Sequence, residues 1–259
     1  MNTNLIDVVI PTFQNNSDIH LAIESALNQG RMTNKVFVVD DGSDIEIQTS
    51  LETRYRNHKK VNYCHVPHVG HPGVMRKIGI ENSQATWIAF LDSDDAWFPG
   101  KLELQLEAVV KSKGCGVTSN AKVMQNGVMG ESFIKSLPMQ IGFSELIRDN
   151  KVINSMVMVK REALLNVGVY ADSFRVRTPE DYATWLRILT REEFIGLDLD
   201  LGYYQISESS IRKEDKDDPR IFAIADYLVW SNQHQDSASR NFRNKRKLAA
   251  KVLRKQYAQ

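Results

Sequence analysis

The first half of this chain repeats one pattern. A short apolar, β-branched run stops at a turn or at carboxylates, and a segment with helical spacing follows. The runs are "DVVIPT" (residues 7–12), "KVFVVDDGS", "VNYCHV" and "TWIAFLD". In "SDIHLAIESALNQG", Ile19, Ala22, Ile23, Ala26 and Leu27 recur at helical spacing. Ser17 or Asp18 can cap its start, and Gly30 lies just past its end. "GVMRKIGIENS" and "PGKLELQLEAVVKS" read as further helices, the second with Pro99 in its first turn. Apolar strands alternating with helices predict an α/β fold: a Rossmann-like, mostly parallel sheet flanked by helices. Such sheets bind ligands beyond the carboxyl ends of their strands.

The pattern changes near residue 120. "GCGVTSN" reads as a fifth strand, and Asn126-Gly127 between short β-like runs predicts a hairpin. "VINSMVMV" reads as a strand and "KREALLNVG" as a short helix ended by Gly168. "TPEDYATWLRILTR" reads as a helix with Thr178 as a possible cap and Pro179 in its first turn. "LDLGYYQIS" reads as a late strand, and from about Asp217 the chain looks helical and basic. The expected organisation is a ligand-binding half over 1–120, a second half of the same domain over 121–215, and a basic helical extension over 216–259.

The chemistry-bearing residues fall at the predicted strand ends. Thr12 and Phe13 follow the first strand, Asp40 and Asp41 end the second, and Asp92, Asp94 and Asp95 crowd the end of "IAFLDSDD". Three mutually repelling carboxylates there suit a hard divalent cation, Mn²⁺ or Mg²⁺, that takes its other ligands from a phosphate. The alternative is a solvated acidic turn ahead of the helix near Pro99. Asp41 can accept hydrogen bonds from a ribose or a base, although Asp-Gly is also plain turn chemistry. Glu180 and Asp181 begin a predicted helix, whose dipole favours acids and would keep an Asp ionised as a general base.

Other chemistries are disfavoured. No G-x-G-x-x-G, phosphate-binding G-K-[ST] loop or G-x-S-x-G elbow occurs. Cys64, His65, His68 and His71 lie close together, but their spacing suits no standard zinc site. Two cysteines make no disulfide framework and suit a reducing compartment. The N-terminus has no basic stretch before its apolar run, and no run approaches the ~18–20 residues of a membrane span. A cytoplasmic protein is expected.

Taken in order, "VVIPTFQNNSDIHLAIESALNQ", "VFVVDDGSD", "RKIGIENSQATWIAFLDSDDAWFPGKLELQ" and "PEDYATWLRI" resemble the bacterial family 2 glycosyltransferases, over roughly residues 5–212. The resemblance implies a GT-A fold and inverting transfer from a nucleotide-diphospho-sugar. By the same resemblance, Pro11, Thr12 and Phe13 pack on the nucleotide, Asp41 reads uracil, and Arg76 lies near the nucleotide. Asp92, Ser93 and Asp94 match the DxD motif. Asp94 is the leading metal ligand, Asp92 a metal or donor-side contact, and Asp95 a supporting ligand. Asp181 matches the catalytic base and Glu180 its acidic neighbour. Trp185, one turn beyond, is a candidate stacking surface for an acceptor sugar. Three positions depart from the family: Lys77 stands where an Asn is usual, and Gln205 and Ser207 stand where many members carry Arg and His. No histidine ligand is therefore assigned.

The expected function is transfer of a hexose from a UDP-sugar to a polyprenyl-diphosphate-linked saccharide, as in O-antigen or capsule synthesis, giving a β-linkage from an α-donor. The tail "RNFRNKRKLAAKVLRKQYAQ" holds eight Lys/Arg and no acid. With Phe242, Leu248, Val252, Leu253 and Tyr257 as an apolar stripe, it suits the inner membrane surface; a solvated basic helix is the alternative. No motif supports nucleic-acid binding. Two rivals remain. A sugar nucleotidyltransferase would carry a glycine-rich loop where this chain has "PTFQNNSD". A nucleotide-sugar-binding protein without turnover would not need both Asp94 and Asp181.

Overall fold

The computed structural model describes residues 5–15, 17–170, 179–206 and 220–257. Thr178 and Ser207 lie outside them. The opening alternation folds as β1 (Ile6–Thr12), α1 (Ile19–Leu27), β2 (Thr33–Asp40), α2 (Ile45–Tyr55), β3 (Val61–His65), α3 (Pro72–Asn82) and β4 (Trp87–Phe90). Every residue of β1 and β4 is buried, as expected of apolar runs covered on both faces. Of these elements only α2 was not read from the sequence. It buries just Leu51 and Tyr55, so its apolar periodicity is faint.

β1 lies between β2 and β4 and runs parallel to both, with β3 parallel on the outside of β2. Pro11 is tolerated inside this central strand for a local reason. The β4 register ends at Val9–Phe90, so Pro11 lies past the last rung on that side, where its missing N–H is least costly. α3 packs closely on β1. A Cβ on Gly79 would come within 2.5 Å of Val9 Cγ1, so the glycine lets the helix approach the sheet.

The second half comprises β5 (Ala96–Trp97), α4 (Lys101–Ser112), β6 (Gly116–Gln125), β7 (Val128–Ser132), β8 (Gln140–Ile141), α5 (Phe143–Leu146), β9 (Met158–Lys160), α6 (Arg161–Asn166), α7 (Glu180–Ile188), β10 (Phe194–Ile206), α8 (Arg220–Gln233) and α9 (Arg240–Tyr257). The sheet order is β3-β2-β1-β4-β9-β6-β10-β5, with β7 on β6 and β8 on β10. It is parallel from β3 to β4 and mixed beyond, because β9 runs antiparallel to both neighbours. The expected hairpin joins β6 to β7. Asn126 (φ 50°) and Gly127 (φ 77°) both take the positive φ that a type I′ turn needs.

Three sequence readings change. "VINSMVMV" is not one strand: Asn154–Met156 form a 3₁₀ turn before the three-residue β9. Its apolar side chains are buried throughout, so period alone could not separate turn from strand. Pro99 precedes α4 rather than entering it, because Gly100 takes a left-handed conformation (φ 85°) at the helix start. The third change concerns α9. Its apolar stripe faces the protein: Phe242 and Ala249 are buried, and Leu248, Val252 and Leu253 pack against the core. α9 packs on α8 and α8 on α7, so the C-terminal segment shares the core of the rest.

Candidate active site

The carboxyl ends of β1, β2 and β4 open onto a cleft of about 670 Å³, closed on one side by the start of α3. Pro11, Thr12, Phe13, Asp41, Arg76, Asp92, Ser93 and Asp94, singled out from sequence, all line it, together with Asn15, His68 and Met75. Thr12 Oγ1 is buried there, with no hydrogen-bond partner among the described residues.

Two adjacent acids at the end of β2 do different work. Asp40 is fully buried and accepts hydrogen bonds from the Ser43 N–H and hydroxyl and from the Tyr63 hydroxyl. It shapes the turn. Asp41 accepts from the backbone N–H groups of Val69 (2.7 Å) and Gly70 (2.8 Å), one on each carboxylate oxygen. It thereby holds the 66–71 loop as a wall of the cleft. His68 in that loop stacks on Phe13, with ring centroids 4.2 Å apart and planes inclined by 20°. Phe13 remains 45% exposed, so this pair presents an aromatic edge to the cleft. Asn15 joins the walls: Nδ2 donates to Ser93, and Oδ1 accepts the first N–H groups of α1.

The repulsion among Asp92, Asp94 and Asp95 is resolved differently at each. Asp92 Oδ1 accepts from Arg76 Nη2 (2.6 Å) and Asn154 Nδ2 (3.2 Å). Asp95 turns inward. It is 1% exposed and accepts from the Ser155 hydroxyl (2.5 Å) and the Gln205 N–H (2.8 Å). Burial, then the charges of Asp92 and Asp94, push its carboxyl well up. Asp95 braces the loop, and its expected role as a metal ligand fails because it does not line the cleft. Asp94 is the outward member. Its surroundings still remove enough water to push its carboxyl up to about 6, with Asp92 adding like charge.

The residues present fit a divalent cation. Asp94, and Asp92 beside it, offer hard oxygen donors whose like charge a cation would relieve. Among the described residues no three His, Cys, Asp or Glu side chains converge on one point. A cation there would complete its shell from a diphosphate and water.

Arg76 joins this loop to α7. Arg76 is 5% exposed; its guanidinium donates to Glu180 Oε1 (2.5 Å) as well as to Asp92, and lies over the Tyr170 ring. Asp181, next along α7, accepts from the N–H of Tyr182 (2.7 Å). Desolvation, then the charge of Glu180, push its carboxyl up to about 6, against the opposing pull of Arg76. Trp185 does not reach this space. It is fully buried among Phe90, Tyr170 and Phe194, so the expected stacking on an acceptor sugar is ruled out. Its placement on α7, one turn from Asp181, could not reveal which way the ring turns.

Sequence reasoning missed the supports of the site. Asn154 and Ser155 hold Asp92 and Asp95, and Tyr170 donates to Asn154 Oδ1 (2.8 Å). These residues come from β9's leading turn and the loop after α6. No local pattern in the sequence marks them.

The structure of S. aureus TarS 1–349 in complex with UDP superposes with a TM-score of 0.73, covering 98% of this chain and 72% of that one. At 16% identity this is a likeness of fold. The glycosyl transferase family 2 model matches residues 7–174, and the chain belongs to that family. The match takes in the cleft and ends before α7.

A putative teichuronic acid biosynthesis glycosyltransferase, TuaG of Bacillus subtilis, is 26% identical over 209 residues, covering 80% of this chain and 81% of that protein. WfgD of Escherichia coli, a UDP-Glc:α-D-GlcNAc-diphosphoundecaprenol β-1,3-glucosyltransferase, is 26% identical over 217 residues, covering 82% and 81%. An uncharacterized glycosyltransferase of Rickettsia conorii is 28% identical over 208 residues. The chain spans about a third of that protein's length, the match covering 80% of this chain and 34% of the relative.

Proposed function

We propose that this glycosyltransferase moves a hexosyl group from a UDP-sugar to a hydroxyl of a polyprenyl-diphosphate-linked saccharide, with inversion at C1, in the synthesis of bacterial surface polysaccharide. One observation carries the reading. Arg76 binds Asp92 in the cleft and Glu180 beside Asp181, so the acid loop and the α7 acids form one constellation. The activity of WfgD and the UDP and UDP-GlcNAc complexes of TarS support the substrate classes.

In this reading the nucleotide lies between the Phe13–His68 pair and the wall held by Asp41. Asp94, with Asp92, would hold Mn²⁺ or Mg²⁺. Bound there, the cation supplies charge neutralisation to the diphosphate leaving group. Asp181 accepts the proton of the acceptor hydroxyl as that oxygen bonds to C1. The C1–O bond to the diphosphate breaks on the opposite face, and UDP carries away the bonding pair. An α-donor gives a β-glycoside. Glu180 and Arg76 position Asp181, and Arg76 keeps it from being fully neutralised.

Among the described residues no helix is long and apolar enough to cross a membrane. The proposed location is the cytoplasmic face of the membrane, held by charge. Lys247, Lys251, Arg254 and Lys255 recur at helical spacing along one exposed side of α9. Each would contribute about 1 kcal/mol at an anionic surface. The apolar stripe of α9 is occupied by the core, so the contact is electrostatic and not inserted.

The test is a screen of UDP-glucose, UDP-galactose and their N-acetyl forms with Mn²⁺ against synthetic GlcNAc- and GalNAc-diphosphate-lipid acceptors. Linkage is then read by NMR. A β-linked product supports the reading. An α-linked product, or none from any pair, sinks it.

A further inference from the structure

With Trp185 buried, the acceptor sugar needs another apolar surface. Two aromatic residues beside the acid loop supply one. Tyr204 lies on β10 immediately before Gln205, whose N–H binds Asp95 Oδ1 at 2.8 Å. That bond ties this stretch of β10 to the loop carrying Asp92 and Asp94. Tyr204 is therefore fixed beside the acid loop.

Phe133 completes the surface. It follows β7, and its N–H donates to Ala121 O at 2.7 Å, which fixes its backbone against β6. Its ring centroid lies 5.0 Å from that of Tyr204, with planes inclined by 55°. Phe133 is nevertheless 45% exposed. The result is a half-open aromatic corner on a rigid strand pair, with Val123 of β6 in register with Tyr204 of β10.

We propose that Phe133 and Tyr204 form the acceptor platform. A pyranose ring would lay its C–H face on the two rings and receive a hydrogen bond from the Tyr204 hydroxyl, with another hydroxyl directed to Asp181. This rests on the acceptor-transfer reading above. Burial, with the nearby carboxylates adding like charge, pushes the Tyr204 phenol up to about 12, so it remains a hydrogen-bond donor at working pH.

The experiment is saturation-transfer NMR with methyl α-glycosides of glucose, galactose and their N-acetyl forms, in the presence of UDP and diamagnetic Mg²⁺. The full chain is compared with Phe133→Ala, Tyr204→Ala and Tyr204→Phe. Calorimetry with UDP and circular dichroism report the donor cleft and the fold. Wild type should transfer saturation to the ring protons of at least one glycoside. Phe133→Ala and Tyr204→Ala should weaken that binding by ~tenfold. Tyr204→Phe, which keeps the aromatic face but loses the hydroxyl, should recover only part of it, an intermediate value that a merely structural role for the ring would not give while UDP affinity stayed constant. Phe133→Leu serves as a second variant if Phe133→Ala loses its fold. Unchanged transfer in both alanine variants overturns the platform, as does the absence of transfer to any glycoside in wild type. Loss of the parent reading would appear separately, as no UDP binding by wild type.

Discussion

Asp92 and Glu180, far apart in sequence, share one guanidinium: Arg76 donates to Asp92 Oδ1 at 2.6 Å and to Glu180 Oε1 at 2.5 Å. Arg76 is almost fully buried, and the side chains of Glu180 and Asp92 keep 12% and 29% of their exposure. Arg76→Ala would leave these partly desolvated acids uncompensated. Breaking such a pair typically costs about 3–5 kcal/mol. The expected outcome is a destabilisation of that order by urea denaturation, with transfer lost. Arg76→Lys should recover part of the stability but little activity, since an ammonium lacks the planar fork that reaches both acids. Equal activity in Arg76→Lys and wild type would refute the bridge.

Asp181 makes a pH prediction with a definite sign. Its carboxyl is raised from the usual carboxylate value to about 6. As a base it must be ionised, so kcat/KM should fall as pH drops through about 6. Stability runs the other way. Between the unfolded value near 3.8 and about 6, the folded state holds more protons, so Asp181's contribution to stability is lost as pH rises through that window. At pH 7 the ionised group is a burden. Asp181→Asn should therefore abolish transfer, keep UDP binding and raise stability by about 1–3 kcal/mol. A lowered Tm in Asp181→Asn would contradict the desolvation account.

The fold was legible because β1, β2 and β4 are apolar runs whose chemistry collects at one end. Asp41, Asp92 and Asp94 reach one cleft for that reason: parallel strands deliver their carboxyl ends to the same edge, and α3 brings Arg76 to them. Side-chain direction was not legible. Asp94 and Asp95 are neighbours, yet one faces the cleft and the other the core. What turns Asp95 inward is Ser155 and the Gln205 backbone, both remote in sequence. Trp185 misled for the same reason. Helical spacing places it near Asp181 along α7, but the ring is claimed by Phe90, Tyr170 and Phe194. In α9 an amphipathic pattern fitted a membrane or a protein core equally well, and packing on α8 decided it.

Trp185→Ala tests the corrected role. Removing a fully buried indole should cost about 3–5 kcal/mol. Trp185→Phe keeps most of the packing and should retain acceptor KM within the error of the assay. A selective rise in acceptor KM in Trp185→Phe, with unchanged Tm, would restore the stacking role.

The basic side of α9 makes a prediction about membranes. Deleting residues 240–259 would strip Phe242 and Ala249 from the core, so charge reversal is the cleaner change. Lys247→Glu, Lys251→Glu and Lys255→Glu together should leave Tm nearly unchanged. Sedimentation with vesicles rich in anionic lipid should drop markedly, and wild-type binding should weaken as salt rises. Equal sedimentation of both forms would remove this surface from membrane contact.

Gly79 links packing to function. A methyl group there would meet Val9 Cγ1 at 2.5 Å, and the neighbours on β1 have no room to yield. Gly79→Ala must push α3 outward, and α3 carries Arg76. Overpacking of this kind costs about 1–3 kcal/mol. The expected outcome is a lower Tm together with weaker UDP binding, because Arg76 and Met75 line the cleft. Val9→Ala in the Gly79→Ala background removes the colliding methyl groups and should restore UDP affinity, even though it loses apolar volume. If the double variant binds UDP no better than Gly79→Ala alone, the close approach of α3 to β1 does not set the position of Arg76.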